Sequence, residues 1–333
     1  MPIFEADPIR CYRVRPGLAF RHRTPEFDVT IYTNDEGMRT GPAKAPVGDK
    51  KPGVFRVLFL GTSYAFGWGS EYEDSYAARI GAGLAQRGLA VEVLNLGTPA
   101  QTEGPQLCWL RENARRIRPD LVIQTVFANP SVLAASCAQD PQCPAVEDGY
   151  LVRPSHGSRL LGELGKRSAL VFYGWYVRQR YVAGASRAEP MGGDPLELGA
   201  PAEEGPDDLR RRYEGFVRSV REAAGEPIEV AFLLIPTAFV VHPEDAARWG
   251  SIGAKGEEFR ARDRAAARSL EASGLRFIDA TPALQERSGA ERMFYWLDTH
   301  LTPAGNRVVG DLVLSHLAAV TAPPPSLRGD EGG

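Results

Sequence analysis

Five short apolar segments along the chain predict buried β-strands. Each is predominantly apolar and has the length typical of a strand that is covered on both faces. The predicted strands are Phe55–Leu60, Val91–Leu96, Leu121–Phe127, Ile228–Ile235 and Leu275–Ile278. Strands of this kind occur mainly in parallel sheets, because helices cover both faces of such sheets.

Helical patterns fill the intervals between these strands. Apolar residues recur every four positions from Tyr76, behind Ser75 or Asp74 as the candidate N-cap, and a second apolar stripe stops before Pro119. The predicted helices lie around Tyr76–Leu84, around Leu107–Ile117, at about 256–273 and from about Pro303 to Ala319. The alternation of strands and helices predicts a parallel sheet with helices on both faces.

The segments around this pattern differ from it in composition. Residues 1–52 are rich in proline, glycine and charge, with one alternating run at Phe27–Tyr32. We expect an arm with one or two edge strands that packs on the core. The core domain is predicted over 53–320, with a helical insertion at about 131–226. Residues 321–333 carry a proline run and are predicted to form a disordered tail.

Composition narrows the classes of function and partner. The formal net charge is −3 and charged residues make up 24% of the chain, so neither nucleic acid nor an anionic membrane surface is an expected partner. No stretch approaches the roughly 20 apolar residues that cross a bilayer, and no signal-peptide pattern opens the sequence. Cytoplasmic residence is the default expectation, and an exported form is the alternative if a signal precedes this sequence.

Cysteine usage does not indicate a metal site. The sequence has Cys11, Cys108, Cys137 and Cys143, too few for a disulfide scaffold and without a histidine at ligand spacing. We therefore expect no metal and no cofactor. Cys137 and Cys143 flank a short turn and could be bridged in an oxidising compartment, but free thiols are favoured in a reducing one.

Small or polar residues follow the predicted strands. Ser63, Gly97 and Asn129 come after the first, second and third strand, and the carboxyl ends of parallel strands meet at one rim of a sheet. Asp298 and His300 lie just before the last helix. A serine needs a base that is held by an acid. The sequence thus predicts Ser63 as nucleophile, His300 as base and Asp298 as orienting acid; a turn serine and a helix-capping histidine are the alternatives.

The same rim offers groups that could bind the substrate. The N–H groups of Ser63 and Gly97 and the side-chain amide of Asn129 are suited to stabilise an oxyanion, and Gly97 would let substrate approach the backbone. Three further residues are candidates to contact the substrate, namely Thr62, Tyr64 and His242.

Two motif checks separate this serine from better-known serine or phosphate sites. Gly61-Thr-Ser-Tyr-Ala65 is not a Gly-x-Ser-x-Gly elbow, because its fifth residue is Ala65. It is not a phosphate loop, because Trp68 rather than lysine follows Gly67.

The serine segment resembles block I of the SGNH (GDSL-type) hydrolases, usually Gly-Asp-Ser-x-Thr-x-Gly. Asn95–Gly97, Phe127–Asn129 and Leu297–Gly305 are similar to blocks II, III and V, in the order of the family. Tyr32–Arg39 is similar to an arm that precedes the domain in many bacterial members. The resemblance spans roughly residues 30–318, apart from the insertion.

The resemblance implies a three-layer α/β/α sandwich with a flavodoxin-like sheet of five parallel strands. It also implies the Ser63, His300 and Asp298 triad, and the oxyanion hole with Gly97 and Asn129. Two positions depart from the family pattern. Thr62 stands where aspartate is usual, and Pro130 follows Asn129 where aspartate is common.

These patterns lead to one expected function and two alternatives. The expected function is a serine hydrolase that cleaves a carboxylic ester, for example an O-acetyl group of a sugar or natural product, through an acyl-enzyme. The expected partner is accordingly a small-molecule or glycan acyl ester. An acyltransferase with the same triad is the first alternative. A non-catalytic binding or assembly protein is the second, and the oligomeric state stays open.

Overall fold

The computed structural model describes residues 2–101, 103–127, 144–152, 168, 206–245 and 256–317. The predictions about Asn129, Pro130, Cys137, Cys143 and the tail at 321–333 concern residues outside these ranges, as does most of the predicted insertion.

Short strands come first in the described chain, and the later strands are interspersed with helices. The strands are β1 (Phe4–Asp7), β2 (Cys11–Val14), β3 (Ala19–Arg23), β4 (Asp28–Thr33), β5 (Arg39–Thr40), β6 (Phe55–Leu60), β7 (Val91–Asn95), β8 (Leu121–Phe127), β9 (Ala145–Glu147), β10 (Tyr150–Val152), β11 (Glu229–Ile235) and β12 (Arg276–Asp279). The helices are α1 (Ser63–Phe66), α2 (Tyr76–Gln86), α3 (Glu103–Ile117), α4 (Pro206–Ala224), α5 (Ala238–Val241), α6 (Gly256–Ser273), α7 (Thr281–Arg287) and α8 (Pro303–Leu317), with a 3₁₀ turn at Tyr72–Asp74.

The five predicted strands form the parallel part of one sheet. Its strand order is β12-β11-β8-β6-β7, and every neighbouring pair in this part is parallel. Counted along the chain from β6, this is the 2-1-3-4-5 order of flavodoxin-like folds. The predicted fold class is confirmed. The strand order reverses beside β6, and ligands of such sheets bind where that reversal occurs.

Strand β6 shows how the apolar runs produce the three layers. Val57 and Phe59 pack into the cluster that includes α2 and α8, whereas Leu58 and Leu60 pack into the cluster that includes α3 and α4. All four side chains are fully buried. Each contributes about 1.5–3 kcal/mol relative to exposure, which is why a strand without polar alternation lies between two helical layers.

Helix α4 is a core element within the segment predicted as an insertion. Its buried residues Leu209, Tyr213, Phe216 and Val220 recur at intervals of three and four and pack against the sheet face covered by α3. The intervening arginines and acids obscure this stripe in the sequence. Hydrophobic burial on one face, rather than overall hydrophobicity, places the helix in the core.

The N-terminal arm is more regular than predicted. It contains five strands where the sequence indicates one or two, because strands of two to six residues leave too short an alternation to be recognised. Strands β5, β4 and β3 continue the sheet beyond β7 in antiparallel fashion, and β1 pairs with β2.

Buried polar contacts join the β1–β2 hairpin to the loop that follows β7. The side-chain amide of Gln101 donates to the carbonyls of Arg10 and Tyr12, at 3.0 and 2.8 Å. The hydroxyl of Tyr12 donates to the carbonyl of Pro99 at 3.2 Å. These bonds satisfy carbonyl groups that would otherwise be buried without partners.

Disulfide bonds add to these contacts. Cys11 in β2 and Cys108 in α3 are both disulfide-bonded, and no described cysteine is a free thiol. The sequence pattern indicates only one possible bridge, between Cys137 and Cys143. Bonding of the other two could not be inferred, because disulfide connectivity depends on which distant segments meet in the fold.

Asp263 in α6 is a buried acid with a strongly perturbed pKa. Its side chain is 4% exposed, and neither carboxylate oxygen has a well-formed hydrogen bond among the described residues. Burial raises its pKa to about 8; the backbone N–H of Thr237 partly opposes this rise, and the charge of Asp279 adds to it. The folded protein therefore holds this proton more tightly than the unfolded chain does.

We expect Asp263→Asn to stabilise the protein increasingly as the pH rises. An unfolded aspartate titrates near 3.8, so the contribution of protonated Asp263 is complete below about pH 4 and is lost as the pH rises to about 8. Asparagine cannot ionise and avoids this loss. Thermal denaturation at several pH values should show a Tm advantage that grows and then levels off above about pH 8.

Glu271→Gln on the exposed side of the same helix is the matched control, because it removes a carboxylate of α6 that is not buried. It should change Tm little at any pH. A Tm difference between Asp263→Asn and the parent protein that is constant with pH would refute the assignment of the buried charge.

Candidate active site

The predicted serine, histidine and aspartate lie in one chain of short hydrogen bonds. The Oγ of Ser63 lies 2.6 Å from Nε2 of His300, and Nδ1 of His300 lies 2.6 Å from Oδ1 of Asp298. The side chains of His300 and Asp298 are 20% and 22% exposed, so the group is partly shielded and still reachable. This is the geometry of a serine with an adjacent base and an orienting acid.

A tight turn after β6 presents the serine. Gly61 has a φ of 142°, and a Cβ atom there would lie 2.8 Å from Cβ of Thr125. The side-chain amide of Gln106 in α3 binds both sides of this glycine: its Oε1 accepts from the Gly61 N–H at 2.7 Å, and its Nε2 donates to the Gly61 carbonyl at 2.6 Å. Glycine is therefore needed for conformation and for space.

Thr62 occupies the position at which family members usually have aspartate. It precedes α1 in an extended conformation, and its side chain makes no capping hydrogen bond. The turn closes instead through the backbone, because the N–H of Phe66 donates to the Thr62 carbonyl at 3.1 Å. An aspartate is not needed to close this turn.

The loop before α8 holds the histidine and the aspartate. The N–H of Tyr295 donates to the His300 carbonyl at 2.8 Å, and the N–H of Thr299 donates to the Tyr295 carbonyl at 3.1 Å. Thr299 adopts a positive φ of 68°, so the chain turns sharply between Asp298 and His300. This turn directs both side chains towards Ser63.

Tyr64 supports this loop from below. Its side chain is buried, its hydroxyl donates to the Thr299 carbonyl at 3.0 Å, and its ring lies 4.9 Å from the ring of His300. Burial raises the pKa of its hydroxyl far above the usual value. The sequence predicts a substrate contact for Tyr64. In the structure its side chain contacts His300 and the carbonyl of Thr299.

Asp298 is held in its ionised form. Burial alone would raise the pKa of this carboxyl, but the charge of His300 and hydrogen bonds from His300 and Trp68 bring the pKa below its usual value. The indole Nε1 of Trp68 donates to Oδ2 of Asp298 at 3.2 Å. An ionised Asp298 favours the imidazole tautomer with its proton on Nδ1, which leaves Nε2 to accept the serine proton.

Gly97 occupies a different environment from the one expected. Its N–H donates to Oδ1 of Asn95 at 3.0 Å, and Nδ2 of Asn95 donates to the Ala65 carbonyl at 2.7 Å. A Cβ atom at Gly97 would lie 2.5 Å from the backbone nitrogen of Phe66. The close approach that this glycine permits is thus to α1, which carries Ser63. Asn129, the other predicted donor, lies outside the described residues.

His242 is not at an open rim. Its side chain is 3% exposed, its Nε2 accepts from the N–H of Met293 at 3.2 Å, and its Nδ1 lies 3.3 Å from Glu244. Burial lowers the pKa of this imidazole. His242 thus binds the backbone at Met293, shortly before Asp298. The structure gives no support to the predicted substrate contact of His242.

Several residues that contact the site are not predicted from the sequence pattern. Gln106 lies outside any motif that marks a serine site, and Trp68 lies in the serine segment without a predicted role there. Only the fold brings these side chains to Gly61 and Asp298. Asn95 carried a local signal, because asparagine often binds the N–H two residues further on.

Within the described ranges, no group of three or more His, Cys, Asp or Glu side chains could hold a metal ion. The helices described here fall short of the length and apolar character that a membrane crossing requires.

A comparison with protein families finds a match to part of the chain. A family model described as "SGNH hydrolase-like domain, acetyltransferase AlgX" matches residues 200–330, a range that includes Asp298 and His300 but not Ser63. No curated protein matches the sequence.

Similar solved structures are distant. They include an inhibitor-bound aryl esterase from M. smegmatis (15% identity, 80% of this chain and 99% of that chain, TM-score 0.43). A lipase/acylhydrolase from Enterococcus faecalis has 12% identity, with 80% and 96% of the two chains covered and a TM-score of 0.44. The carbohydrate acetylesterase Est24 from Sinorhizobium meliloti has 15% identity, with 80% and 99% covered and a TM-score of 0.43.

Proposed function

We propose that the chain is an SGNH-type serine enzyme that cleaves a carboxylic ester; the SGNH hydrolase-like family model that matches residues 200–330 supports this proposal. The observation that carries the proposal is the continuous hydrogen-bonded chain from Ser63 through His300 to Asp298, with 2.6 Å at each link. A serine that merely caps a turn does not require a histidine at this distance, nor a histidine held by an ionised acid.

The proposed reaction has two stages. Oγ of Ser63 attacks the ester carbonyl carbon while Nε2 of His300 takes the hydroxyl proton. The tetrahedral intermediate breaks its bond to the alcohol oxygen, and His300 returns the proton to the departing alcohol. Water then attacks the acyl-enzyme with His300 again as base, and the acid and free Ser63 are released. Asp298 stays ionised throughout and orients the imidazole.

We propose three groups as donors to the oxyanion of the tetrahedral intermediate. The N–H of Ser63 is one donor. The N–H of Gly97 would have to divide its hydrogen bond between the oxyanion and Oδ1 of Asn95, or leave Asn95 when substrate binds. Asn129 remains the proposed third donor on the basis of the family resemblance. One such donor contributes about 10²–10³-fold to kcat in a serine hydrolase.

An O-acyltransferase with the same triad is the second candidate function. It is favoured by the matching family model, whose description includes an acetyltransferase. The chemistry differs only in the second stage, in which an alcohol rather than water attacks the acyl-enzyme. An acetylated glycan is the substrate class that both candidates share.

Product analysis separates the two functions. We expect acetyl and longer acyl esters of a chromogenic alcohol to release free acid when water is the only acceptor. Added mono- and oligosaccharides would receive the acyl group if the protein is a transferase, with slow turnover in their absence. Ser63→Ala is the control for background hydrolysis. No turnover of any ester, with or without acceptors, would instead favour a non-catalytic binding protein.

We also propose that the protein works in an oxidising compartment. The supporting observation is that Cys11 and Cys108 are disulfide-bonded, because structural disulfides are rare where thiols are kept reduced. This favours the exported form over the cytoplasmic default.

A further inference from the structure

The carboxylate of Glu26 in the N-terminal arm binds three consecutive N–H groups of the triad loop. This loop comprises residues 295–302 and carries Asp298 and His300. Oε1 of Glu26 accepts from the N–H of Trp296 at 2.6 Å. Oε2 of the same side chain accepts from the N–H groups of Leu297 and Asp298, at 2.9 and 2.8 Å. The last of these N–H groups belongs to the triad acid itself.

The turn that carries this glutamate is itself fixed. It joins β3 to β4, and the hydroxyl of Thr24 accepts from the N–H groups of Glu26 and Phe27, at 3.1 and 3.2 Å. The N–H of Thr24 donates to the Phe27 carbonyl at 2.8 Å. Turns closed in this way by a threonine hydroxyl have a defined conformation, so the carboxylate is presented in one place.

The same turn contacts the triad loop through side chains. The ring of Phe27 is buried and lies 5.1 Å from the ring of Tyr295. The hydroxyl of Tyr295 donates to the carbonyl of Gly69 at 2.8 Å, close in sequence to Trp68, which binds Asp298. The packing of Phe27 on Tyr295 thus holds the arm against the loop, and the Glu26 carboxylate fixes which N–H groups of the loop face the arm.

The three N–H groups that Glu26 binds are consecutive along the chain. Three successive backbone N–H groups that converge on one point form a concave site for an anion. Hydrogen bonds to a charged acceptor are stronger than those between neutral groups. The Glu26 carboxylate therefore holds the backbone of Trp296 to Asp298 in one conformation, and this conformation determines where the Asp298 side chain points.

We propose that Glu26 is a positioning residue of the active site, through which the arm sets the orientation of Asp298 and thereby of His300. The inference rests on the proposed function, since the triad is what Glu26 positions. It makes the arm a part of the active site rather than only a cover for the edge of the sheet. A purely structural Glu26 would instead fasten the arm without affecting the geometry of the triad.

The test is Glu26→Gln in the full chain, with Asp28→Asn as matched control. Glutamine keeps one acceptor oxygen but cannot accept all three N–H groups. Asp28 lies at the start of β4 and pairs with Arg21 inside the same hairpin, so its substitution removes equal charge without touching the triad loop. We expect kcat to fall by about tenfold to a hundredfold in Glu26→Gln, with KM within about threefold and a modestly lower Tm, because hydrogen bonds to a charged acceptor are lost.

A second readout does not depend on turnover. The proton between Nδ1 of His300 and Asp298 should give a low-field proton NMR signal, because the bond is short and its acceptor is charged. We expect that signal to shift or broaden in Glu26→Gln and to be retained in Asp28→Asn. Parent-like kcat and a parent-like proton signal in Glu26→Gln would overturn the inference.

If Glu26→Gln does not fold, Glu26→Asp retains the charge with a shorter reach; an altered proton signal in this variant supports the inference, and a parent-like signal overturns it. If the parent protein neither hydrolyses esters nor reacts with a serine-directed probe, the proposed function fails, and the proton signal alone decides the role of Glu26.

Discussion

Replacing Ser63 by alanine should lower kcat/KM for the best ester substrate by about 10⁴-fold or more. The Oγ of Ser63 is the atom that lies 2.6 Å from the base, His300, and alanine leaves the base without a nucleophile to activate. The substitution removes one partly exposed hydroxyl, so the fold should be retained. Steady-state kinetics with the substrate identified by the ester screen measures the effect, and thermal denaturation checks the fold.

Ser75→Ala is the matched control for this substitution. The hydroxyl of Ser75 caps α2 by accepting from the N–H of Ala78 at 3.3 Å, so its loss should cost about 1 kcal/mol of stability. It should leave most of the activity. Activity that survives in Ser63→Ala, with the same substrate and a background-corrected rate, would rule out this serine as the nucleophile.

Gly97→Ala should damage stability and activity together. The new Cβ would lie 2.5 Å from the nitrogen of Phe66 and 2.7 Å from the carbonyl carbon of Ala65. Both are backbone atoms of α1 and cannot turn aside as a side chain can. We expect a loss of about 3 kcal/mol. We also expect kcat/KM to fall more than about a hundredfold, because α1 must shift and it carries Ser63. Thermal denaturation and ester kinetics measure the two losses.

The control for Gly97→Ala is the same substitution at Gly215. This glycine lies inside α4, and a Cβ atom there would meet nothing within 4 Å. Alanine should therefore stabilise the helix by about 0.5–1 kcal/mol and leave activity unchanged. A Gly97→Ala protein with parent-like Tm and kinetics would show that the loop after β7 is not packed on α1 in this way.

Parts of the fold and the site that depend on local sequence could be predicted. The strand Phe55–Leu60 is apolar apart from Arg56, and the structure places it at the predicted residues. The sequence predicts Ser75 or Asp74 as the cap of α2, and in the structure the hydroxyl of Ser75 accepts the capping bond. Ser63 follows a strand of the parallel sheet, where functional groups of such sheets gather. Asp298 and His300 precede the last helix, and their order after the serine, together with the family resemblance, predicts that they lie near it.

Parts that depend on contacts between distant segments could not be predicted. Gln106 binds Gly61 across 45 positions of sequence, and Glu26 binds the Asp298 N–H across 272. Neither residue differs in the sequence from an ordinary helical glutamine or a turn glutamate. The fold that brings them together is set by burial of apolar surface, which is not specific to these pairs.

The environment of Gly97 is an intermediate case. Glycine after a strand indicated close approach of some group, and the structure identifies that group as the backbone of α1. The sequence could not decide between substrate and protein, because both demand the absence of a side chain. The bond from the Gly97 N–H to Asn95 is local and could have been inferred from the Asn-Leu-Gly order.

The most direct test of the central claim is covalent labelling of the protein by a fluorophosphonate, followed by mass spectrometry of the intact chain and of its peptides. The account predicts one adduct, on the peptide that contains Ser63, and its complete loss in Ser63→Ala. An intact protein that takes no label, or a label that persists when Ser63 is alanine, would contradict it.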